Sequence, residues 1–69
     1  MTIDYVSIDD KKYGVTKEKK FNDTIYVFLA NLDNPRDQLI KKYYENAKEE
    51  LLPLETESEF ALAMNLYMN

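Results

Sequence analysis

The segment TIYVFLAN, Thr24–Asn31, constrains the fold of this 69-residue chain more than any other part of the sequence. It is rich in the β-branched and aromatic residues that favour strands. Successive side chains of a strand point to opposite faces. Here both faces are apolar, because Ile25, Val27 and Leu29 form one and Tyr26, Phe28 and Ala30 form the other. A strand that is apolar on both faces is expected at the centre of a sheet.

Two pairs of small polar residues divide the chain before this strand. Asp9-Asp10 and Asn22-Asp23 tolerate positive φ and favour tight hairpin turns. The sequence therefore predicts consecutive antiparallel strands over residues 3–8, 12–21 and 24–31.

The C-terminal segment has the pattern of a helix start followed by apolar residues at helical spacing. Thr56 and Glu59 have the spacing of a capping box, and acidic residues in the first turn favour the helix dipole. We predict a helix over residues 57–68, and we expect one of its faces to pack on the central strand. The expected contact joins Phe60, Met64 and Tyr67 to Ile25, Val27 and Leu29.

The stretch NPRDQLIKKYYENAKEELLPL, residues 34–54, is compatible with two structures. As a single helix over 35–52, it would have Asn34 as its cap, Pro35 at the first helical position and apolar residues at helical spacing. As a hairpin, it would form strands over 38–44 and 49–53 that turn at ENAK. The local pattern alone favours the helix.

The order IDDKKYGV, FNDTIYVFL and NPRDQLIKKYYENAKEELLPLETESEFALAM resembles the YrzB-like family of small uncharacterised bacterial proteins. In that family, hairpins are followed by a leucine-isoleucine-basic strand, an acid-acid-apolar-x-Pro-apolar strand and an acidic E-x-E-F helix start, which match residues 39–41, 49–54 and 57–60. The resemblance implies the hairpin, and hence an α+β fold in which an antiparallel β-meander of four to five strands is closed by one C-terminal helix. The alternative is a set of β-hairpins followed by two helices. The family has no established activity.

Length and composition limit the classes of function. Residues 1–69 suffice for a single domain. The chain has no cysteine and no histidine and only one glycine, Gly14, which excludes disulfides, thiolate chemistry, histidine metal sites and glycine-rich phosphate loops. Neighbouring carboxylates such as Asp9-Asp10 and Glu49-Glu50 have the positions of ordinary solvated turn or cap residues. We therefore predict no catalytic, metal or cofactor site and no enzymatic activity. The absence of cysteine, of a signal sequence and of a membrane-length apolar run predicts a cytoplasmic protein.

Six tyrosines suggest that the chain contacts another protein or a second copy of itself. Tyrosine combines an apolar ring with a polar hydroxyl, so it is favoured where a surface is half wet. The adjacent pair Tyr43 and Tyr44 should point to opposite sides of a strand, so that one can leave the core. The sequence thus predicts a protein-interaction module with these two tyrosines as candidate contacts.

The alternative function is nucleic-acid binding by the lysine-rich hairpin at residues 11–21. Lys17, Lys19 and Lys20 lie beside Phe21, and lysines interleaved with aromatic residues can bind phosphates and stack on bases. The net charge of −4 opposes this interpretation.

Overall fold

A computed structural model describes residues 5–68, with the side chains of Lys48 and Glu49 left out. Within this range the elements are β1 (Tyr5–Ile8), β2 (Lys11–Phe21), β3 (Thr24–Asn31), β4 (Gln38–Tyr44), β5 (Ala47–Pro53) and α1 (Glu57–Met68). The strands form an antiparallel sheet in the order β1-β2-β3-β4-β5, curled into a half-barrel. The α+β meander closed by one C-terminal helix is therefore confirmed, and the single long helix over 35–52 is wrong. Residues 3 and 4 of the first predicted strand lie outside the described residues.

The hairpin turns form where small polar residues accept positive φ. Asp9 and Asp10 have φ of 52° and 65°, and Asn22 has φ of 57°. In the first turn the flanking residues Ile8 and Lys11 pair directly, so the loop has two residues, both in the left-handed region that a type I′ turn requires. The sequence thus sets the register of this hairpin through its turn residues.

A β-bulge in β2 changes which side chains share a face of the sheet. The register with β3 shifts between Val15 and Lys17, and the extra residue, Thr16, donates its hydroxyl hydrogen bond to the Phe28 carbonyl at 3.0 Å. Beyond the bulge, Lys17 pairs with Phe28 and Lys20 pairs with Ile25. Paired residues point to the same face of a sheet, and Phe28 and Ile25 of β3 point to opposite faces. Lys17 and Lys20 therefore also point to opposite faces.

On one face of the sheet, the described residues that pack together all come from strands. Tyr13, Val27 and Leu29 are buried at its centre, and Leu29 is only 1% exposed. We call this group and its neighbours the strand-lined cluster. Its half-buried neighbours, which come from every strand, are Val6, Ile8, Val15, Ile25, Leu39, Tyr43 and Leu51. The curl of the sheet brings the edge strands β1 and β5 to the same core.

The opposite face is covered by α1. Its buried residues are Tyr26, Phe28 and Ala63, and its half-buried neighbours are Ile40, Leu54, Leu62 and Leu66. We call these residues the helix-covered cluster. The expected docking of Phe60, Met64 and Tyr67 on Ile25, Val27 and Leu29 is therefore wrong in both the face of the sheet and the face of the helix.

The physical reason for this correction is the distribution of apolar residues on α1. Leu62, Ala63 and Leu66 form a continuous stripe that fits against the sheet, and Ala63 is small enough to be completely buried. Apolar residues occur on the other side of the helix as well, so helical periodicity alone does not determine which side docks. Of the predicted docking residues, Tyr67 contacts the sheet, with its ring centroid 4.8 Å from that of Phe28.

The β3–β4 connection is fixed by a polar network at the edge of the strand-lined cluster. The Tyr13 hydroxyl donates to Asp37 Oδ2 at 2.6 Å, and Asn31 Nδ2 donates to the same oxygen at 3.2 Å. The hydrogen bond from Tyr13 lowers the pKa of Asp37 and raises the pKa of the tyrosine. Asp37 is consequently held as a carboxylate that ties the connection to β2 and β3.

Candidate protein-interaction surface

A buried ion pair fixes the start of α1 on the sheet. Lys42 of β4 is only 3% exposed, and its Nζ lies 2.8 Å from Glu59 Oε2. The Tyr26 hydroxyl donates to the same oxygen at 3.1 Å, and the backbone N–H of Glu55 donates to Glu59 Oε1 at 2.8 Å. Both carboxylate oxygens of Glu59 therefore accept hydrogen bonds, one from sheet side chains and the other from the backbone just before the helix. These bonds fix the first turn of α1 on the sheet.

The predicted capping residues take part in this anchor. The Glu59 N–H donates to Thr56 Oγ1 at 3.1 Å, and the Phe60 N–H donates to the Thr56 carbonyl at 3.1 Å. Thr56 is therefore the N-cap residue of α1. The Glu59 carboxylate accepts from Glu55, one residue before the cap, instead of from the cap residue itself as in a capping box.

The charges of the anchor stabilise each other. The hydrogen bond to Glu59 raises the pKa of Lys42, although burial alone would lower it. The same hydrogen bond lowers the pKa of Glu59, although burial alone would raise it. Burial is the main cause that raises the pKa of Tyr26. At neutral pH the pair is therefore charged and bonded, and it determines which side of α1 faces outward.

The outward side of α1 is mostly apolar. We call it the exposed helix stripe, and its members recur every three or four residues: Glu57, Phe60, Ala61, Met64, Tyr67 and Met68. Its four large side chains are exposed by 50% for Phe60, 37% for Met64, 40% for Tyr67 and 79% for Met68. Because Leu62 and Leu66 dock the helix by its opposite side, the large side chains of the stripe stay largely exposed, although the Tyr67 ring also contacts Phe28.

An apolar groove of about 250 Å³ runs between the stripe and the sheet. Its helix wall consists of Phe60, Met64 and Tyr67. The sheet residues that line it are Thr16, Phe28, Leu29, Gln38, Leu39 and Ile40. None of these lining residues carries a charge, so the groove is suited to an apolar side chain of a partner.

Further exposed apolar residues point to the same side of the sheet as α1. Phe21 and Tyr44 both pair with Thr24, which shares a face with Tyr26, and they are 42% and 38% exposed. Tyr5 pairs with Gly14 and is 54% exposed. The side of the sheet that carries the helix is thus also the side that carries these three exposed aromatic rings.

The two tyrosines predicted as protein contacts are separated by the sheet. Tyr43 packs in the strand-lined cluster and its hydroxyl donates to Glu18 Oε1 at 3.0 Å. Tyr44 points to the helix side, where Lys42 Nζ lies 5.6 Å from the centroid of its ring. The structure therefore does not bring them together in one surface, and a contact of either with a partner stays a prediction.

The three lysines predicted as nucleic-acid contacts do not share one surface either. Lys17 Nζ donates to the Tyr67 carbonyl at 2.6 Å and lies 4.8 Å from the ring centroid of Tyr67. Lys20 forms an ion pair of 2.8 Å with Glu45 and points to the opposite face from Lys17 and Lys19. Nucleic-acid binding stays a prediction, and two of its three proposed cations have partners within the chain.

Sequence reasoning missed Lys42 and the groove. The sequence carries only a weak signal for Lys42, because strand alternation places it between Ile40 and Tyr44 but places Lys41 in the same way between Leu39 and Tyr43. A lysine buried in such a place requires a carboxylate. The partner, Glu59, lies 17 residues away, and its position in the sequence indicates only a capping role. The groove had no local signal, because strands and helix contribute to it jointly.

Within 5–68, no three Asp, Glu, His or Cys side chains are grouped so that they could hold a metal ion. No helix in this part of the chain has the length and apolar character needed to cross a membrane.

Comparison of the chain with protein-family models, with curated proteins and with solved structures gives no match. Membership of the YrzB-like family therefore stays a prediction.

Proposed function

We propose that the chain is a small non-enzymatic protein-interaction module that binds a protein through the exposed helix stripe and the apolar groove. One observation carries this proposal. Phe60, Met64 and Tyr67 are large and exposed on a helix that is already docked by its opposite side. They line a groove free of charged side chains.

The stripe is larger than folding requires. Leu62, Ala63 and Leu66 supply the helix side of the helix-covered cluster, so truncation of Phe60, Met64 or Met68 would leave this cluster intact, whereas the Tyr67 ring also contacts Phe28. Contiguous exposed apolar surface of this kind typically marks an interaction site. Its composition supports the same function, because aromatic residues and methionine are enriched in interface cores and methionine adapts to irregular partners.

The anchor at the helix start makes the surface suitable for binding. The Lys42–Glu59 pair and the Thr56 cap fix the position of α1 before any partner arrives. A preformed surface loses less conformational freedom on binding, which favours affinity. Tyr44 points to the helix side of the sheet, whereas Tyr43 is directed into the opposite core.

The arrangement of charge favours protein over nucleic acid as the partner. Lys17 and Lys20 point to opposite faces of the sheet and each has a partner within the chain, so together they do not form one basic surface for a phosphate backbone. The net charge of −4 adds a general repulsion from polyanions.

Site-specific crosslinking in cells tests this proposal. A photoreactive phenylalanine analogue is placed at position 64 in the stripe, or at position 65 as the matched control. Asn65 is also exposed and lies about 100° around the same helix. We expect protein adducts from position 64 and few or none from position 65.

Two results would contradict the proposal. One is the absence of protein adducts at position 64 when the protein is folded and abundant. The other is adducts that are removed by nuclease, with binding that falls steeply with salt and is lost in a Lys17→Gln, Lys19→Gln, Lys20→Gln variant. That second result would establish the nucleic-acid alternative.

A further inference from the structure

The exposed helix stripe carries opposite charges at its two ends. It begins at Glu57, which is exposed in the first turn of α1. It ends at Tyr67 and Met68, where the ammonium of Lys17 lies 2.6 Å from the Tyr67 carbonyl and beside the Tyr67 ring. Between these ends the large exposed side chains are apolar.

This arrangement is complementary to itself under a two-fold rotation. A two-fold interface uses the same patch on both copies, so each part of the patch must be complementary to the part that the rotation places opposite it. When two copies of α1 pack antiparallel, the start of one helix lies against the end of the other. Glu57 of each copy then faces Lys17 of the other, and the apolar centres meet.

We infer that the partner bound by this surface is a second copy of the chain, in a two-fold dimer with antiparallel α1 helices. The inference rests on the proposed function and names its partner. Ala61, at the middle of the stripe, lets the two helices approach closely. Phe60 and Met64 of each copy enter the groove and stripe of the other.

The pairing is also favoured by the helix dipoles. Antiparallel helices bring the positive end of one dipole near the negative end of the next, and Glu57 is at the end where a negative charge is stabilising. The stripe is about 18 Å long, so we expect a small interface and a weak, reversible dimer.

Sedimentation velocity over a range of protein concentrations is the first test. The unmodified chain should shift from monomer to dimer as concentration rises to about 0.5 mM. Met64→Glu places two carboxylates next to the two-fold axis and should weaken the dimer at least about tenfold. Asn65→Glu adds the same charge to the same helix outside the stripe and should leave dimerisation unchanged. Circular dichroism and thermal melting establish that both variants are folded.

A charge exchange between two variants is the sharper test. In a dimer of the Glu57→Lys variant, each of the two contacts joins two lysines. In a dimer of the Lys17→Glu variant, each contact joins two glutamates. Each variant should therefore be monomeric where the unmodified chain is dimeric. When the two variants are mixed, each of the two contacts in the heterodimer joins a lysine to a glutamate, so the heterodimer should form. Recovery on mixing depends on the interface and not on how well either variant folds.

The inference is overturned if the chain stays monomeric at about 0.5 mM, if Met64→Glu dimerises as well as the unmodified chain, or if mixing restores nothing. Crosslinking distinguishes this failure from failure of the proposed function. A monomeric chain that still gives adducts with another protein from position 64 is an interaction module with a different partner. A monomeric chain without protein adducts from position 64 overturns both proposals.

Discussion

The two faces of the sheet are closed in different ways. The strand-lined cluster is closed by the curl of the sheet and contains apolar residues from every strand. The helix-covered cluster is closed by α1, whose position depends on the buried Lys42–Glu59 pair. The first face depends mainly on packing of apolar volume, whereas the second depends also on charge. We therefore expect cavities to have their largest effect on the first face and substitution of charged residues to have its largest effect on the second, while Asp37 at the edge of the first face also contributes to the pH dependence.

The largest effect is expected from a cavity in the strand-lined cluster. Leu29 is 1% exposed, and Leu29→Ala should lower the free energy of unfolding by about 3 kcal/mol, because it removes buried methyl groups and leaves a void. Leu32, which is 55% exposed, is the matched control, and Leu32→Ala should cost less than about 1 kcal/mol. Urea unfolding measures both. Equal losses in the two variants would contradict the assignment of Leu29 to the core.

The next largest effect is expected from the ion pair. Lys42→Met removes the charged donor that bonds to the partly exposed Glu59 carboxylate, and should cost about 2 kcal/mol. Adding Glu59→Gln removes the unpaired charge and retains an amide that can bond to Tyr26 and Glu55. The double variant should therefore be more stable than Lys42→Met alone. A double variant that is less stable would show that the carboxylate acts mainly as a helix cap.

These two faces also differ in how far the sequence predicts them. The central strand and the hairpin turns follow from local signals, namely two-sided apolar alternation in Thr24–Asn31 and positive-φ residues at Asp9, Asp10 and Asn22. The second hairpin required the family resemblance, because the local pattern of residues 35–52 favours a helix. Sequence reasoning assigned α1 its bounds correctly but docked the wrong side of it.

The side of the helix could not be predicted because the decisive interactions are not local. Phe60 and Met64 look as suitable for a core as Leu62 and Leu66 do. The choice between these sides depends on the contact between Lys42 and Glu59 and on the shape of the sheet under Ala63. Neither of these is visible in a window of a single helix length.

Acid should weaken the charged anchor before it affects apolar packing. The pKa of Glu59 is lowered from its ordinary value of 4.5 by the hydrogen bond from Lys42. A carboxylate with a lowered folded pKa contributes stability that is present above its unfolded pKa and is lost as pH falls through the folded pKa. Asp37, whose pKa is lowered chiefly by Tyr13, contributes in the same direction.

Unfolding free energy should therefore decrease as pH falls below about 5. Because the pKa of Lys42 is raised, its contribution is present below its unfolded pKa and is lost only as pH rises through the folded one. Without Lys42, Glu59 no longer contributes to the acid dependence, so the unfolding free energy of Lys42→Met should decrease less steeply as pH falls. Leu29→Ala should lower the unfolding free energy by the same amount at every pH. Urea titrations at a series of pH values measure this, and parallel curves for the unmodified chain and Lys42→Met would contradict it.

The smallest effect on stability is expected at Phe60. If its ring were packed on the sheet face of Ile25, Val27 and Leu29, as helical spacing suggested, Phe60→Ala would cost roughly 3 to 5 kcal/mol. The ring is instead 50% exposed at the rim of the groove, so the expected loss is about 1 kcal/mol or less. The same variant should nevertheless abolish crosslinking from position 64, because it removes a wall of the groove. If the melting temperature changes little while crosslinking is lost, Phe60 contributes to binding and little to folding. A large loss of stability would instead place Phe60 in the helix-covered cluster.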